Sequence, residues 1–243
     1  PREGQQQAKL YADALEARFG RRPAIFYSNG DEHWFWDDAE HPPRAVSGFF
    51  KKDELERLIQ RRQTRQSPLT TRVDRKIVER YYQTRAIARV AEHFETRKAR
   101  KALLVMATRS GKTRTVIALI DMLMRAGWVK RALFLADRVA LVNQAVRAFK
   151  AHLPDVMPVN LVTDKIAEGR VFVSTYPTMM NLIDERMGET ARFGPGHFDL
   201  IVIDEAHRSV YQRYGAIFRY FDSCLVGLTA TPKDEIDRNT YGL

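Results

Sequence analysis

Residues 102–113 read ALLVMATRSGKT, an apolar run that breaks into a polar, glycine-containing turn and then into Lys112-Thr113. The run Ala102–Ala107 falls well short of the roughly 20 apolar residues that cross a bilayer, and it has the length of a buried strand. A helical pattern follows it. Gly-Lys-Thr at a strand-to-helix junction leaves backbone N–H groups free to cradle phosphate at the helix N-terminus. In that reading Lys112 reaches the β- and γ-phosphates, and the Thr113 hydroxyl ligates magnesium. Thr108, Arg109, Ser110 and Gly111 form the cradle. Met106 stands where the full pattern wants glycine, and taken alone such a junction is also a chance helix start.

Apolar runs near 132–136, 171–175, 199–203 and 224–229 alternate with amphipathic helices, and a helix over 81–98 precedes the opening strand. Continuous apolar strands separated by helices indicate a parallel sheet covered on both faces. Ligands of such sheets sit at the carboxyl ends of the strands. The chemically informative residues fall there. IVIDEAH (201–207) ends an apolar strand in two adjacent acids. Asp204 is placed to hold magnesium, usually through water, and Glu205 to polarise an attacking water. A helix N-terminus with favourable acids is the plainer alternative. LTATP (228–232) again follows an apolar strand and closes with a turn at Pro232.

Upstream, Ala8, Tyr11, Ala12, Leu15 and Phe19 recur at helical spacing, with Gly20 as a stop signal. AIFYS, Asn29-Gly30 and DEHWFWDD form a hairpin pattern. KKDELERLIQRR (51–62) predicts a short charged helix, and TRQSPLTTR (64–72) is polar, lacks periodicity and is expected to be a linker. Trp34, Phe35 and Trp36 read as hairpin core more readily than as a base-stacking platform.

Of 243 residues 44% are hydrophobic, enough for a sizeable core. The first residues carry no apolar signal segment. The single cysteine, Cys224, excludes a disulfide framework or a cysteine-based zinc cluster and reads as inert core in a reducing, cytoplasmic compartment. No metal-ligand spacing connects His33, His41, His93, His152 and His197. The net charge of +10 is unevenly spread. Residues 1–56 hold 8 basic and 11 acidic side chains, a net of −3, whereas 57–100 hold 13 and 4, a net of +9. Such a basic stretch either meets a polyanion or an acidic protein surface, or forms a solvated helix face.

MATRSGKT, IVIDEAH and LTATP, in that order, resemble motifs I, II and III of superfamily 2 helicases of the DEAH-box type. Tyr82-Gln83 resembles the motif that reads adenine, with Gln83 offering its amide to the base. FLADRVALVNQ (134–144) and VSTYPTMMN (173–181) are similar to the loops that grip the sugar-phosphate backbone of one strand. That resemblance implies DNA contacts at Arg138, Asn143, Gln144, Ser174 and Thr175. It also implies coupling of nucleotide state to movement by His207, Thr229 and Thr231. The run 5–38, then PPRAVSGFFKKDELERLIQRR, is similar to the restriction (R) subunit of type I restriction enzymes, where it closes the amino-terminal nuclease domain. Gln7-x-x-x-Tyr11 matches an element of that nuclease.

The resemblance implies an α/β fold: a RecA-like parallel sheet flanked by helices over 67–243. A small α+β remnant of a nuclease domain over 1–66 precedes it. It implies ATP and Mg²⁺ as cofactors, with Lys112, Asp204 and Glu205 catalytic. The partners implied are double-stranded DNA, bound through its backbone, and the methylase and specificity subunits of a restriction complex, with no membrane. The function implied is ATP-driven DNA translocation and cleavage. Two rivals stand beside it: a stand-alone superfamily 2 repair helicase, and a non-hydrolysing DNA-binding or assembly module. Arg109 lies where the helicase pattern has glycine, so it either crowds the loop or adds a phosphate contact. The ends read as those of a fragment lacking the nuclease acids and a second RecA-like domain, for which little hydrolysis is expected.

Overall fold

The computed structural model describes residues 2–164 and 168–230, with the backbone alone for Arg2 and Glu3. A helix, α1 (Arg2–Phe19), leads into a three-stranded antiparallel meander of β1 (Ile25–Ser28), β2 (His33–Trp36) and β3 (Arg44–Val46). The β1–β2 turn forms as the Asn-Gly pair requires. Asn29 Oδ1 accepts from the backbone N–H groups of Asp31 and Glu32, and Gly30 takes a φ of +100°. Phe35 is fully buried against Phe26 and Phe50, so the aromatic strand is hairpin core. Strand β3 was not foreseen, because three residues are too few to show a period.

Helix α2 (Lys52–Thr64) follows, then α3 (Tyr81–Glu95) and β4 (Lys101–Val105). The next elements are α4 (Lys112–Arg125), β5 (Ala132–Ala136), α5 (Val139–His152), β6 (Pro158–Asn160), β7 (Val171–Thr175) and α6 (Tyr176–Asp184). A two-residue hairpin, β8 (Arg186–Met187) with β9 (Thr190–Ala191), leads to β10 (Leu200–Ile203), α7 (Arg208–Tyr220) and β11 (Cys224–Thr229). Six strands form one sheet in the order β4-β11-β10-β5-β7-β6, parallel throughout.

Both faces are covered, and the alternation within strands shows it. Ala132, Phe134 and Ala136 of β5 pack beneath α3, α4 and α5, while Leu133 and Leu135 pack beneath α6 and α7. Strand β4 lies at the edge, where Val105 is half exposed. Cys224, expected in the core, is partly buried at the start of β11. Among the described residues no helix is long and apolar enough to cross a membrane.

The stretch expected to be a linker packs, at its start, against the end of α4 and the residues after it. Gln66 donates its backbone N–H to Ala126 O (2.8 Å), Trp128 Nε1 donates to Gln66 O (2.8 Å), and the Arg65 guanidinium stacks over the Trp128 ring. Helix α2 is shared between the two sides. Leu58 packs with Phe35 and Phe50, while Lys51 Nζ donates to Ala191 O and Arg61 pairs with Asp199. The basic stretch is also partly accounted for internally. Arg62 pairs with Asp37, Arg65 with Glu40, and Arg100 with Asp222, so these cations face acids of their own chain rather than a polyanion.

Candidate nucleotide-binding site

The sheet order places strand β11 between β4 and β10, so three loops emerge side by side at the carboxyl edge. Hydrogen bonds tie them together. Met106 N–H donates to Thr229 O (2.9 Å), Ala206 N–H to Leu228 O (2.7 Å) and Asp204 N–H to Leu135 O (2.9 Å).

The loop Ala107–Gly111 curls through two left-handed residues, Arg109 (φ +63°) and Gly111 (φ +86°), and closes with Ser110 N–H on Ala107 O (3.2 Å). Reversals of this kind turn successive N–H groups toward one concave side. Helix α4 starts at Lys112, so its unsatisfied amides face the same place. Thr108 and Arg109 are exposed, and Ser110, Lys112 and Thr113 are partly buried. Arg109 therefore does not crowd the loop.

Lys112 Nζ lies 3.5 Å from Glu205 Oε1, which joins the phosphate-loop lysine to the acid pair at the end of β10. Glu205 takes a φ of +52°, and its N–H donates to Asp204 Oδ1 (3.1 Å). Burial, and then the Glu205 charge, raise the Asp204 carboxyl above its usual range, with the N–H of Glu205 and Lys112 opposing. A carboxylate held this way gains most from a cation. Tyr176, buried and stacked on Tyr214, donates its hydroxyl to Asp204 O (2.6 Å) and fixes the backbone there. The sequence reading missed Tyr176, although it stands inside the quoted VSTYPTMMN.

The residues present fit a magnesium nucleotide. The Ser110 hydroxyl oxygen is buried beside the cradle with no hydrogen-bond partner. Gly111 leaves no room for a side chain, because a Cβ there would stand 2.6 Å from Gln83 Nε2. Among the described residues no three His, Cys, Asp or Glu side chains converge as a metal cage. Thr113 and Asp204 would hold the cation with phosphate oxygens and water, the hard and incomplete shell that magnesium accepts.

The remaining expected residues are placed as follows. Gln83 is buried, with its amide engaged at both ends inside the chain: Oε1 accepts from Arg80 N–H (3.3 Å) and Nε2 donates to Ser110 O (3.2 Å). His207 is exposed at the start of α7, its Nδ1 3.2 Å from Ser209 Oγ. Thr229 is buried at the end of β11, and Thr231 lies outside the described residues. Arg138, Asn143 and Gln144 are exposed at the start of α5 and along it. Ser174 and Thr175 are corrected: both are buried. Ser174 Oγ donates to Thr175 O, and Thr175 Oγ1 caps α6 by accepting from Thr178 N–H. Neither presents a hydroxyl to DNA.

A parallel, doubly covered sheet with a phosphate cradle and an Asp-Glu pair on adjoining carboxyl-edge loops defines a RecA-like α/β domain. The helicase domain of Hef from Pyrococcus furiosus shares this fold at a TM-score of 0.51 and 22% identity, over 70% of the chain and 38% of that helicase-domain chain. Residues 76–234 match the family described as type III restriction enzyme, res subunit, and the chain belongs to that family.

Similarity to individual proteins runs in the same direction. The EcoAI type I restriction enzyme endonuclease subunit of Escherichia coli is 38% identical over 174 residues, covering 67% of the chain and 20% of that protein. The EcoKI endonuclease subunit of Escherichia coli K12 is 31% identical over 178 residues, covering 63% and 15%. A fragment structure described as an HsdR subunit of a type I restriction enzyme from Vibrio vulnificus aligns over 98% of the chain and 42% of its own. Its TM-score is 0.52 at 27% identity. The chain thus spans a fifth or less of the length of the curated relatives it matches.

Proposed function

We propose that the chain is the ATP-binding part of the motor in the restriction subunit of a type I restriction-modification system, working in the cytoplasm. The backbone amides of the loop and Lys112 bind the phosphates. Thr113 and Asp204 hold magnesium, and Glu205 orients the attacking water and accepts its proton. ATP, when bound, supplies the phosphoanhydride bond whose cleavage drives movement. His207, Thr229 and Thr231 couple nucleotide state to the DNA-facing loops. Arg138, Asn143 and Gln144 touch the sugar-phosphate backbone without reading sequence. Sequence recognition and methylation then belong to separate specificity and methylase subunits.

The observation that carries this reading is the approach of Lys112 to Glu205 beneath a left-handed glycine loop. The Glu205 carboxylate compensates the charge of the largely buried Lys112 side chain beside the cradle.

Titration calorimetry with Mg-ATP on the parent chain, Lys112→Ala and Arg109→Gly tests it. The parent is expected to bind, and Lys112→Ala to lose at least about tenfold, the scale of one charge-assisted contact. Equal binding by parent and Lys112→Ala overturns the reading. Binding by Arg109→Gly alone turns it toward the non-hydrolysing assembly module.

A further inference from the structure

Helix α5 and the edge strand β6 meet through a pair of amides. Asn160, the last residue of β6, donates its Nδ2 to Asn143 Oδ1 (3.1 Å). Asn160 is itself tied down by the turn that follows it. Its Oδ1 accepts from Val162 N–H (3.1 Å), its N–H donates to Asp164 Oδ2 (3.1 Å), and its carbonyl accepts from Asp164 N–H (2.7 Å). The turn uses the oxygen end of this amide, which leaves the NH₂ end to face α5.

The consequence falls on Asn143. Its Oδ1 is taken, so the NH₂ end, with two N–H donors, is presented on the exposed face of the helix. An exposed asparagine without such a partner would offer donor and acceptor in turn. Arg147 stands one helical turn further along the same face, where side chains four apart are neighbours. It is exposed, its Nε donates to Asn143 O (3.3 Å), and among the described residues no carboxylate pairs with it. An oriented amide and an uncompensated guanidinium, with no acid between them, offer donors and positive charge together. That combination suits the oxygens of a phosphodiester.

We infer that Asn160 is a positioning residue for DNA, presetting the Asn143 amide so that, together with Arg147, it seats one backbone phosphate on the outer face of α5. The inference rests on the proposal that Asn143 touches DNA. It extends the contact beyond the stretch 134–144 to two residues that the helicase resemblance did not mark. One of them, Arg147, adds charge; the other, Asn160, acts only through Asn143.

Fluorescence anisotropy with a short labelled duplex, repeated across salt concentrations, compares the parent chain with Arg138→Ala, Asn143→Ala, Arg147→Ala, Asn160→Ser and the Asn143→Ala, Asn160→Ser double variant. The serine keeps an oxygen for Val162 N–H and loses the amide that reaches Asn143. Asn143→Ala and Asn160→Ser are each expected to lose roughly 3- to 10-fold in affinity, one hydrogen bond's worth, at unchanged salt slope. The double variant is expected to lose no more than Asn143→Ala, because the two residues act as a unit. Arg147→Ala is expected to lower the salt slope by about 0.9, one phosphate contact. The Asn143 side-chain NH₂ resonances, shifted by duplex in the parent, are expected to shift less in Asn160→Ser, which a role confined to holding the turn would not produce. Affinity equal to the parent's in Asn160→Ser, beside a weakened Asn143→Ala, overturns the positioning role. Affinity equal to the parent's in both Asn143→Ala and Arg147→Ala, beside a weakened Arg138→Ala, overturns the seat and leaves the grip at the start of α5 standing. If the parent does not bind duplex, or no variant differs from it, the DNA reading itself fails. Should Asn160→Ser not fold, the parent decides, since Asn143 NH₂ resonances indifferent to duplex overturn the seat.

Discussion

Two residues of the phosphate loop pass through the left-handed region, and one of them is an arginine. For a residue with a Cβ that conformation costs about 1–2 kcal/mol, which is why the helicase pattern has glycine at this place. Arg109 holds it at φ +63° with an exposed side chain, so the substitution burdens the backbone and leaves the cradle open. Arg109→Gly is therefore expected to stabilise the fold by a few tenths to about 1 kcal/mol, net of glycine's greater freedom when unfolded. A urea midpoint measures it, and a lower midpoint would show that the guanidinium makes a stabilising contact. The departure was visible in the sequence, but its meaning was not, because φ at one position depends on how the loop closes. The same holds for Glu205, whose φ of +52° aims the acid toward Lys112.

Among the elements, the parallel sheet was legible because strands buried on both faces must be apolar without a break, as ALFLA and LIVI are. The short edge pieces were not. Strands β3, β6, β8 and β9 have two or three residues each, too few for a period, and their pairing partners decide them. The packing of the stretch 64–72 was hidden for a related reason: Gln66 N–H donates to Ala126 O and Arg125 to Arg72 O, partners far along the chain. Gly127 marks that junction. Its φ is +72°, and a Cβ there would lie 3.0 Å from Thr64 O. Gly20 closes α1 with a similar φ of +66° but has open space around it. Gly20→Ala is expected to lose about 1 kcal/mol, the conformational cost alone, and Gly127→Ala clearly more. Equal shifts in the urea midpoint would show that the 64–66 segment yields freely.

On the scale of the whole molecule, the acidic first 56 residues and the basic stretch after them partly neutralise one another, as Arg62 with Asp37 and Arg65 with Glu40 do, and an acid near the end of the chain gathers two more arginines. Arg44 Nε and Nη2 clasp the two oxygens of Asp222 at 2.6 Å each, and Arg100 joins them at 2.8 Å. Burial raises the Asp222 carboxyl, but Arg100 and Arg44 outweigh it and hold the group at about 2. Two histidines are likewise held below their ordinary value. Burial, then Arg131 and Arg57, with Lys51 adding and Asp53 opposing, hold His197 at about 2 amid Phe172, Phe193 and Phe198. Burial, then Arg100, Arg44 and Arg65 against Asp222, hold His41 at about 3.

Unfolded, each histidine takes up a proton near pH 6.5; folded, neither does until far lower pH. The unfolded state thus binds more protons below 6.5, so stability is full above that value and falls as the pH drops, by about 1.4 kcal/mol per pH unit for a fully buried histidine. The urea midpoint is expected to fall from pH 7 to pH 5, and the slope to be shallower in His197→Phe. An unchanged slope in that variant would remove His197 as its source.

The sequence by itself determined the class of fold, the order of its long strands and helices, and the residue types at the carboxyl edge of the sheet. Hydrophobic period and the Gly-Lys-Thr and Asp-Glu-Ala-His runs are local properties, written in consecutive residues. Tertiary structure alone decided that Lys112 meets Glu205, that Gln83 and Tyr82 meet the loop at Ser110 O, that Ser174 and Thr175 are buried, and that Arg62, Arg65 and Arg100 face acids of their own chain. Each of these depends on which distant groups burial brings together. A polar side chain is satisfied by whatever partner the fold delivers, and composition cannot name that partner.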